Sequence, residues 1–239
     1  MMTPEHKQQL ELFWKENNRP FDFKYQDIFD PKWLILESGW PYFELSAFRN
    51  INFKEMYLEA EALVEDFYPH RENYGYGWKS LTLHGLNNDT QSLDTYGDRK
   101  ETISNLGWTE IADKCPATKK FLTDVWPAEF LNRVRFMLLE PGGYILPHQD
   151  RDNDQKRLTV CNISLNNPDG CEFIFDKHGP VPFKDEGSAF LMDISNKHSV
   201  WNKSDKPRIH MIIHYELGRR LRDHFYVLRQ SYYTNRDSK

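Results

Sequence analysis

The chain has 239 residues, 39% of them hydrophobic and 15% aromatic, which is enough to bury a core and argues against wholesale disorder. A formal net charge of −5 gives no support for a nucleic-acid surface, which is normally basic. No apolar run approaches the ~20 residues that a membrane helix needs. The opening Met1-Met2-Thr3-Pro4-Glu5 has no apolar signal core, so the cytoplasm is the expected location.

Thr3-Pro4-Glu5 is a helix start, with Thr as the cap and Pro at the first helical position. Leu10, Phe13 and Trp14 follow at helical spacing, so a helix is expected over 4–17. Residues 20 to 50 are aromatic and irregular and read as loops packed on the core, with one edge strand. Asn52 caps a second helix, whose stripe Phe53, Met56, Tyr57, Ala60, Leu63, Val64 and Phe67 should face the core and end near Tyr68-Pro69. Gly75 to Gly85 reads as a strand with Trp78, Ser80, Thr82 and His84 on one face. His84 is expected to be a hydrogen-bonded strand residue rather than a ligand.

The polar stretch 87–105 is expected to be an exposed loop, of a length often used for lids or binding. Pro116 should open a helix carrying Phe121, Leu122, Val125 and Trp126. Beyond it, short apolar runs alternate with turn signals. Strands are expected at 158–165, 171–175, 181–183 and 188–193, with Asn166 to Gly170 and Asp185-Glu186-Gly187 as turns. The charged run 151–157 reads as a solvated loop or as a rim that orders over a polar substrate. Such a series suits a barrel or sandwich. The expected organisation is one domain over 1–239. It comprises a helical and irregular part with early strands to 130, a core over 131–218 and an extension over 219–239. The cysteines Cys115, Cys161 and Cys171 form no Cys-x-x-Cys pair and read as small core residues in a reducing compartment.

The chemistry gathers on Arg133 to Asp150. A strand ends at Glu140, Pro141-Gly142-Gly143 forces a turn, and Tyr144-Ile145-Leu146 runs to Pro147. Residues two apart in extended backbone share a face, so His148 and Asp150 aim at one point. Two histidines and a carboxylate on one face of an octahedron form the ligand set of non-heme Fe(II) oxygenases. His198, in Asn196-Lys197-His198-Ser199-Val200-Trp201-Asn202, is the candidate third ligand. Ten residues further on, Arg208 opens the strand to Tyr215 and could hold a dicarboxylate by a bidentate pair.

The ordered series Leu139-Glu140-Pro141-Gly142-Gly143-Tyr144-Ile145-Leu146-Pro147-His148-Gln149-Asp150, then His198-Ser199-Val200-Trp201-Asn202, then Arg208, resembles the aspartyl/asparaginyl β-hydroxylase family and the related bacterial proline hydroxylases. The likeness covers residues 131 to 218. It implies a mainly β chain with flanking helices and a double-stranded β-helix core of the jelly-roll, cupin-like kind. It implies Fe(II), 2-oxoglutarate and O2, with hydroxylation of an amino acid, free or in a peptide, and release of succinate and CO2. His148, Asp150 and His198 would hold the metal. Arg208 would take the far carboxylate of 2-oxoglutarate, and Asn162, facing inward, would donate to it. Arg135 and Arg157 are candidates for meeting a substrate carboxylate, and His210 shares the face of Arg208. The partner is then a small molecule or peptide, with neither nucleic acid nor membrane.

Some members of the resembled family lack the acidic ligand, and related halogenases replace it with a small residue. Asp150 therefore favours hydroxylation. Three other classes stay open on the residues alone. A cupin-type metal enzyme without 2-oxoglutarate would not need Arg208. A binding module would be expected to lose a ligand, and a zinc hydrolase can use the same donors.

Overall fold

The structure is a computed structural model that describes residues 2–86, 105–150, 157–185 and 187–238. Helix α1 spans Pro4–Asn17, and the Thr3 hydroxyl accepts from the His6 backbone N–H at 3.1 Å. The edge strand expected between 20 and 50 is β1, Tyr42–Glu44, which pairs with a later strand rather than with a neighbour in sequence. Helix α2 runs only over Lys54–Glu61. The expected continuation to Tyr68-Pro69 is replaced by a turn of 3-10 helix at Val64–Asp66, because Tyr68–Pro69 is drawn out as strand β2 against Ser80 and Lys79.

Strand β3 covers Gly75–Gly85 and β4 covers Gly107–Trp108. Residues 87–104, most of the loop expected between them, lie outside the described residues. Helix α3, Pro116–Lys120, passes into a wider turn over Phe121–Val125 that delivers the buried Trp126. The remaining strands are β5 (Phe130–His148), β6 (Val160–Asn166), β7 (Cys171–Phe175), β8 (Gly179–Pro180), β9 (Ser188–Met192), β10 (His198–Asn202) and β11 (Arg208–Glu216). The strand expected at Val181-Pro182-Phe183 is not formed. Pro182 has no N–H to give a ladder, and the pairing with β7 stops at Pro180. Helix α4, Leu221–Asp237, closes the described chain.

All the ladders are antiparallel, in the order β1-β9-β6-β11-β5-β10-β7-β8, with β3 also on β5. Strand β5 is the hinge of this arrangement. Its first arm, Phe130 to Leu139, pairs with β11, and its second, Tyr144 to His148, pairs with β10. Between the arms Gly142 takes φ +70, and β3 follows the same corner with Gly77 at φ +70. A side chain at Gly77 would stand 3.0 Å from Glu140 Cβ, so glycine serves both dihedral and space here. A strand pair wound from one sheet onto a second makes the double-stranded β-helix that the sequence led us to expect.

Alternation then sorts the side chains. Val134, Phe136 and Leu138 of β5, Leu81 and Leu83 of β3, and Ile209, Met211 and Ile213 of β11 point outward into one apolar cluster with Met56, Ala60, Phe121, Leu228 and Tyr232 of the helical segments. Full burial of each such side chain is worth roughly 1.5–3 kcal/mol. Helix α1 covers the other sheet through Leu10, Phe13 and Trp14, which pack on Tyr144 and Ile174. The inward residues of β5, Arg135, Met137 and Leu139, pair with Ile212, His210 and Arg208 of β11 and with Thr82, Ser80 and Trp78 of β3. His84 leaves that inner row. A bulge after Thr82 sets it opposite the outward-facing Val134, where its ring Nδ1 donates to the Asn132 carbonyl, 3.3 Å away.

Candidate metal centre and buried arginine pocket

His148 ends the second arm of β5 and His198 begins β10, and the two are direct partners in the ladder. Their rings lie 4.5 Å apart between centroids. Asp150 sits just past β5, its backbone N–H held by the Ile194 carbonyl at 3.1 Å. Its Oδ1 is 3.5 Å from His148 Nε2. One ligand atom from each of the three residues falls within 4.8 Å of the others.

The local backbone fixes how the imidazoles present themselves. His148 Nδ1 is 2.8 Å from the Leu146 carbonyl, and His198 Nδ1 is 2.9 Å from the Asn196 carbonyl. A carbonyl only accepts, so each Nδ1 carries the proton and each Nε2 offers a lone pair to the common point. Such a backbone acceptor is the usual outer support of a metal-binding histidine. Phe173 stacks on the His198 ring at 5.1 Å and Phe175 meets its edge. Burial, followed by the neighbouring His148, pulls the His198 pKa down to about 4, which keeps it neutral near pH 7. Burial alone would raise the Asp150 carboxyl. His148, His198 and the Arg71 guanidinium outweigh burial and hold it well below the usual carboxylate range. Two imidazole nitrogens and one carboxylate are a donor set that fits Fe(II).

Arg71, which the sequence gave no reason to single out, donates to Asp150 Oδ1 at 3.2 Å. It precedes a short turn, Glu72–Tyr74, that sets Tyr74 5.7 Å from the His148 ring. Trp78 approaches the same ring at 6.3 Å, and His70 packs edge-on against Trp78 at 4.4 Å.

A second polar group lies on the inner face of the other sheet. Arg208 is 4% exposed and His210 is fully buried. Arg208 Nη2 lies 2.7 Å from His210 Nδ1, and Asn162 lies 2.8 Å from the same nitrogen. A guanidinium only donates, so Nδ1 accepts from it. Asn162 is buried and faces inward. Burial brings the Arg208 pKa down to about 10, so it remains cationic near neutrality. Among the described residues its Nε, like His210 Nε2, has no hydrogen-bond partner. An unmet buried donor costs about 1–3 kcal/mol, which a bound anion would relieve. The donor set therefore fits a carboxylate.

An aromatic bridge links the two groups. Phe173 stacks on His198 and lies 6.3 Å from Phe183, which is 4.6 Å from His210 and 6.0 Å from the Arg208 guanidinium carbon. Arg135 is buried on the inner face, whereas Arg157 is exposed ahead of β6. Residues 151–156 of the expected rim lie outside the described residues. Cys115, Cys161 and Cys171 are buried and free.

Comparison with known proteins defines the class. The family model for aspartyl/asparaginyl β-hydroxylase matches residues 50–216, well over half of the chain, and the chain belongs to that family. It is thus an oxygenase of the class that uses Fe(II), 2-oxoglutarate and O2. A search of curated proteins finds no significant match. Among solved structures the chain is similar to a Pseudomonas putida prolyl-4-hydroxylase, at 17% identity and TM-score 0.42, over 74% of this chain and 92% of that one. It is similar to a viral collagen prolyl hydroxylase from Paramecium bursaria Chlorella virus-1 at 14% identity and TM-score 0.42, over 74% and 96%. A prolyl hydroxylase from Trichoplax adhaerens aligns at 13% identity and TM-score 0.43, over 75% and 85%. No helix among the described residues is long and apolar enough to cross a membrane.

Proposed function

We propose that the chain hydroxylates an amino acid, free or within a peptide, using His148, Asp150 and His198 as its metal ligands and Arg208 as the anchor of 2-oxoglutarate. The observation that carries this reading is the pairing of a converging His–Asp–His cluster with a buried guanidinium whose Nε has no partner. When bound, Fe(II) with 2-oxoglutarate and O2 supplies the oxidising power that turns a substrate C–H into C–OH, leaving succinate and CO2.

The protein's own residues do the rest. The Leu146 and Asn196 carbonyls fix both imidazoles as Nε2 donors. Arg208 offers its Nε and a fork geometry suited to the far carboxylate, and His210, itself in contact with Asn162, braces its other edge. Phe173, Phe183 and Phe175 exclude water between the two poles. Arg135, on the inner face, and Arg157, at the mouth of β6, are the candidates for a substrate carboxylate. Arg208 distinguishes this reading from a cupin-type enzyme without 2-oxoglutarate, which would have no use for a buried cation there.

The test is succinate release by anaerobically purified protein given Fe(II), ascorbate, 2-oxoglutarate and O2 with a panel of free amino acids. Turnover stimulated by one of them is the expected result. Turnover without stimulation would move the substrate to a peptide. Absence of turnover with iron bound would contradict the reading.

A further inference from the structure

Arg71 stands apart from the other basic residues of the inner site. It is a non-glycine residue in the left-handed region, φ 46 and ψ 55. That conformation costs on the order of 1 kcal/mol and persists where neighbours impose it. Here the neighbours are visible. The His70 N–H is held by the Trp78 carbonyl at 2.8 Å, and the Arg71 carbonyl accepts from Tyr74 N–H at 2.9 Å. The backbone is thereby pinned on both sides, and the guanidinium is delivered to Asp150. The Arg71 and Asp150 side chains are 27% and 29% exposed, in contrast to the nearly closed Arg208 pocket.

The charge count at the site changes when it is loaded. The cluster presents one carboxylate, Asp150, and Arg71 meets it. A divalent cation held by those three ligands would take over the carboxylate's charge, and 2-oxoglutarate would offset the rest. Arg71 is left as a solvent-reached cation beside the reacting centre, with nothing to neutralise it among its contacts in the described residues.

We propose that Arg71 has two successive partners: Asp150 before the metal binds, and afterwards an anionic group of the substrate, most simply a carboxylate, held next to the metal. This makes Arg71 a specificity-determining residue and assigns the substrate to the carboxylate-bearing class. It rests on the functional reading above for the identity of the loaded site. The turn Glu72–Tyr74 and the aromatic residues Tyr74 and Trp78 would then flank the body of that substrate.

The test uses full-length protein labelled with [15N]arginine and loaded with Zn(II) as a diamagnetic stand-in, and follows the Arg71 side-chain signal by NMR. The signal is assigned by its loss in Arg71→Lys. It should move on Zn(II) addition and move again, saturably, with sodium acetate in the presence of 2-oxoglutarate, and acetamide should leave it in place. Acetate affinity measured by titration calorimetry should fall at least about tenfold in Arg71→Gln, whereas Arg71→Lys, which keeps the charge, should retain most of it. A signal unmoved by Zn(II), or moved equally by acetamide and acetate, would overturn the proposal. 2-oxoglutarate affinity is measured on the same wild-type sample. Its absence would defeat the functional reading, while the response of Arg71 to Zn(II) and acetate would still decide this one.

Discussion

The two poles of the inner site are built on opposite principles. At the mouth, both histidine Nδ1 atoms have a backbone acceptor, and Asp150 Oδ1 accepts from Arg71. At the closed end, Arg208 and His210 each keep a donor nitrogen without a partner. The first pole is a finished socket whose cost of organisation is met by the β-ladder. The second is an unfinished one, stable in isolation only because the surrounding barrel holds it. The difference teaches that metal ligation and cosubstrate binding are separable in this fold, and substitutions should show it.

The largest effect belongs to the socket. Asp150→Ala removes its only charge and should abolish turnover, with metal affinity down ~10-fold or more, read by metal titration. Full activity in that variant would take Asp150 out of the site.

Arg208→Met attacks the other pole and should split two readouts that usually move together. 2-oxoglutarate binding should weaken ~100-fold, since two charge-assisted hydrogen bonds are lost. Ligand-free stability to denaturant should rise by about 1–3 kcal/mol as a buried unmet donor disappears. Lower stability together with retained binding would show Arg208 to be a structural ion.

A smaller effect separates the site from the helical shell. His224, on α4 against Tyr215, has its pKa drawn down to about 4 by burial. An unfolded histidine takes up its proton near ~6.5, so between those values the unfolded chain binds more protons. Stability should therefore fall as pH drops from 6.5 to 4, by up to ~1.4 kcal/mol per pH unit from this group. His224→Leu should make the profile shallower by this group's share without touching 2-oxoglutarate affinity, as denaturant melts and binding measured across that range would reveal. The smallest change, Thr3→Ala, should cost about 1 kcal/mol through the cap of α1 and leave both poles intact.

Much of the socket was legible from local rules. Pro141-Gly142-Gly143 makes the corner, and the two-residue period past Pro147 aims His148 and Asp150 together. Arg208 came with the family resemblance rather than from alternation, and the face taken by Asn162 stayed open until the β6–β11 register set it opposite Ile212. What failed locally failed for tertiary reasons. Helix α2 stops at Glu61 because β2 is recruited by β3, and His84 turns outward at a bulge that no propensity announces. Arg71 was invisible because its contact to Asp150 spans 79 residues and depends on a left-handed backbone at a residue that does not favour one.

The central claim is that the two poles together hold Fe(II) and 2-oxoglutarate, and the most direct measurement is the anaerobic visible absorption of the protein titrated with both. A charge-transfer band should appear only when both are present, vanish in Asp150→Ala, and require far more 2-oxoglutarate in Arg208→Met. Iron binding without such a band, or a band that saturates at the same 2-oxoglutarate concentration in Arg208→Met as in the wild type, would contradict it.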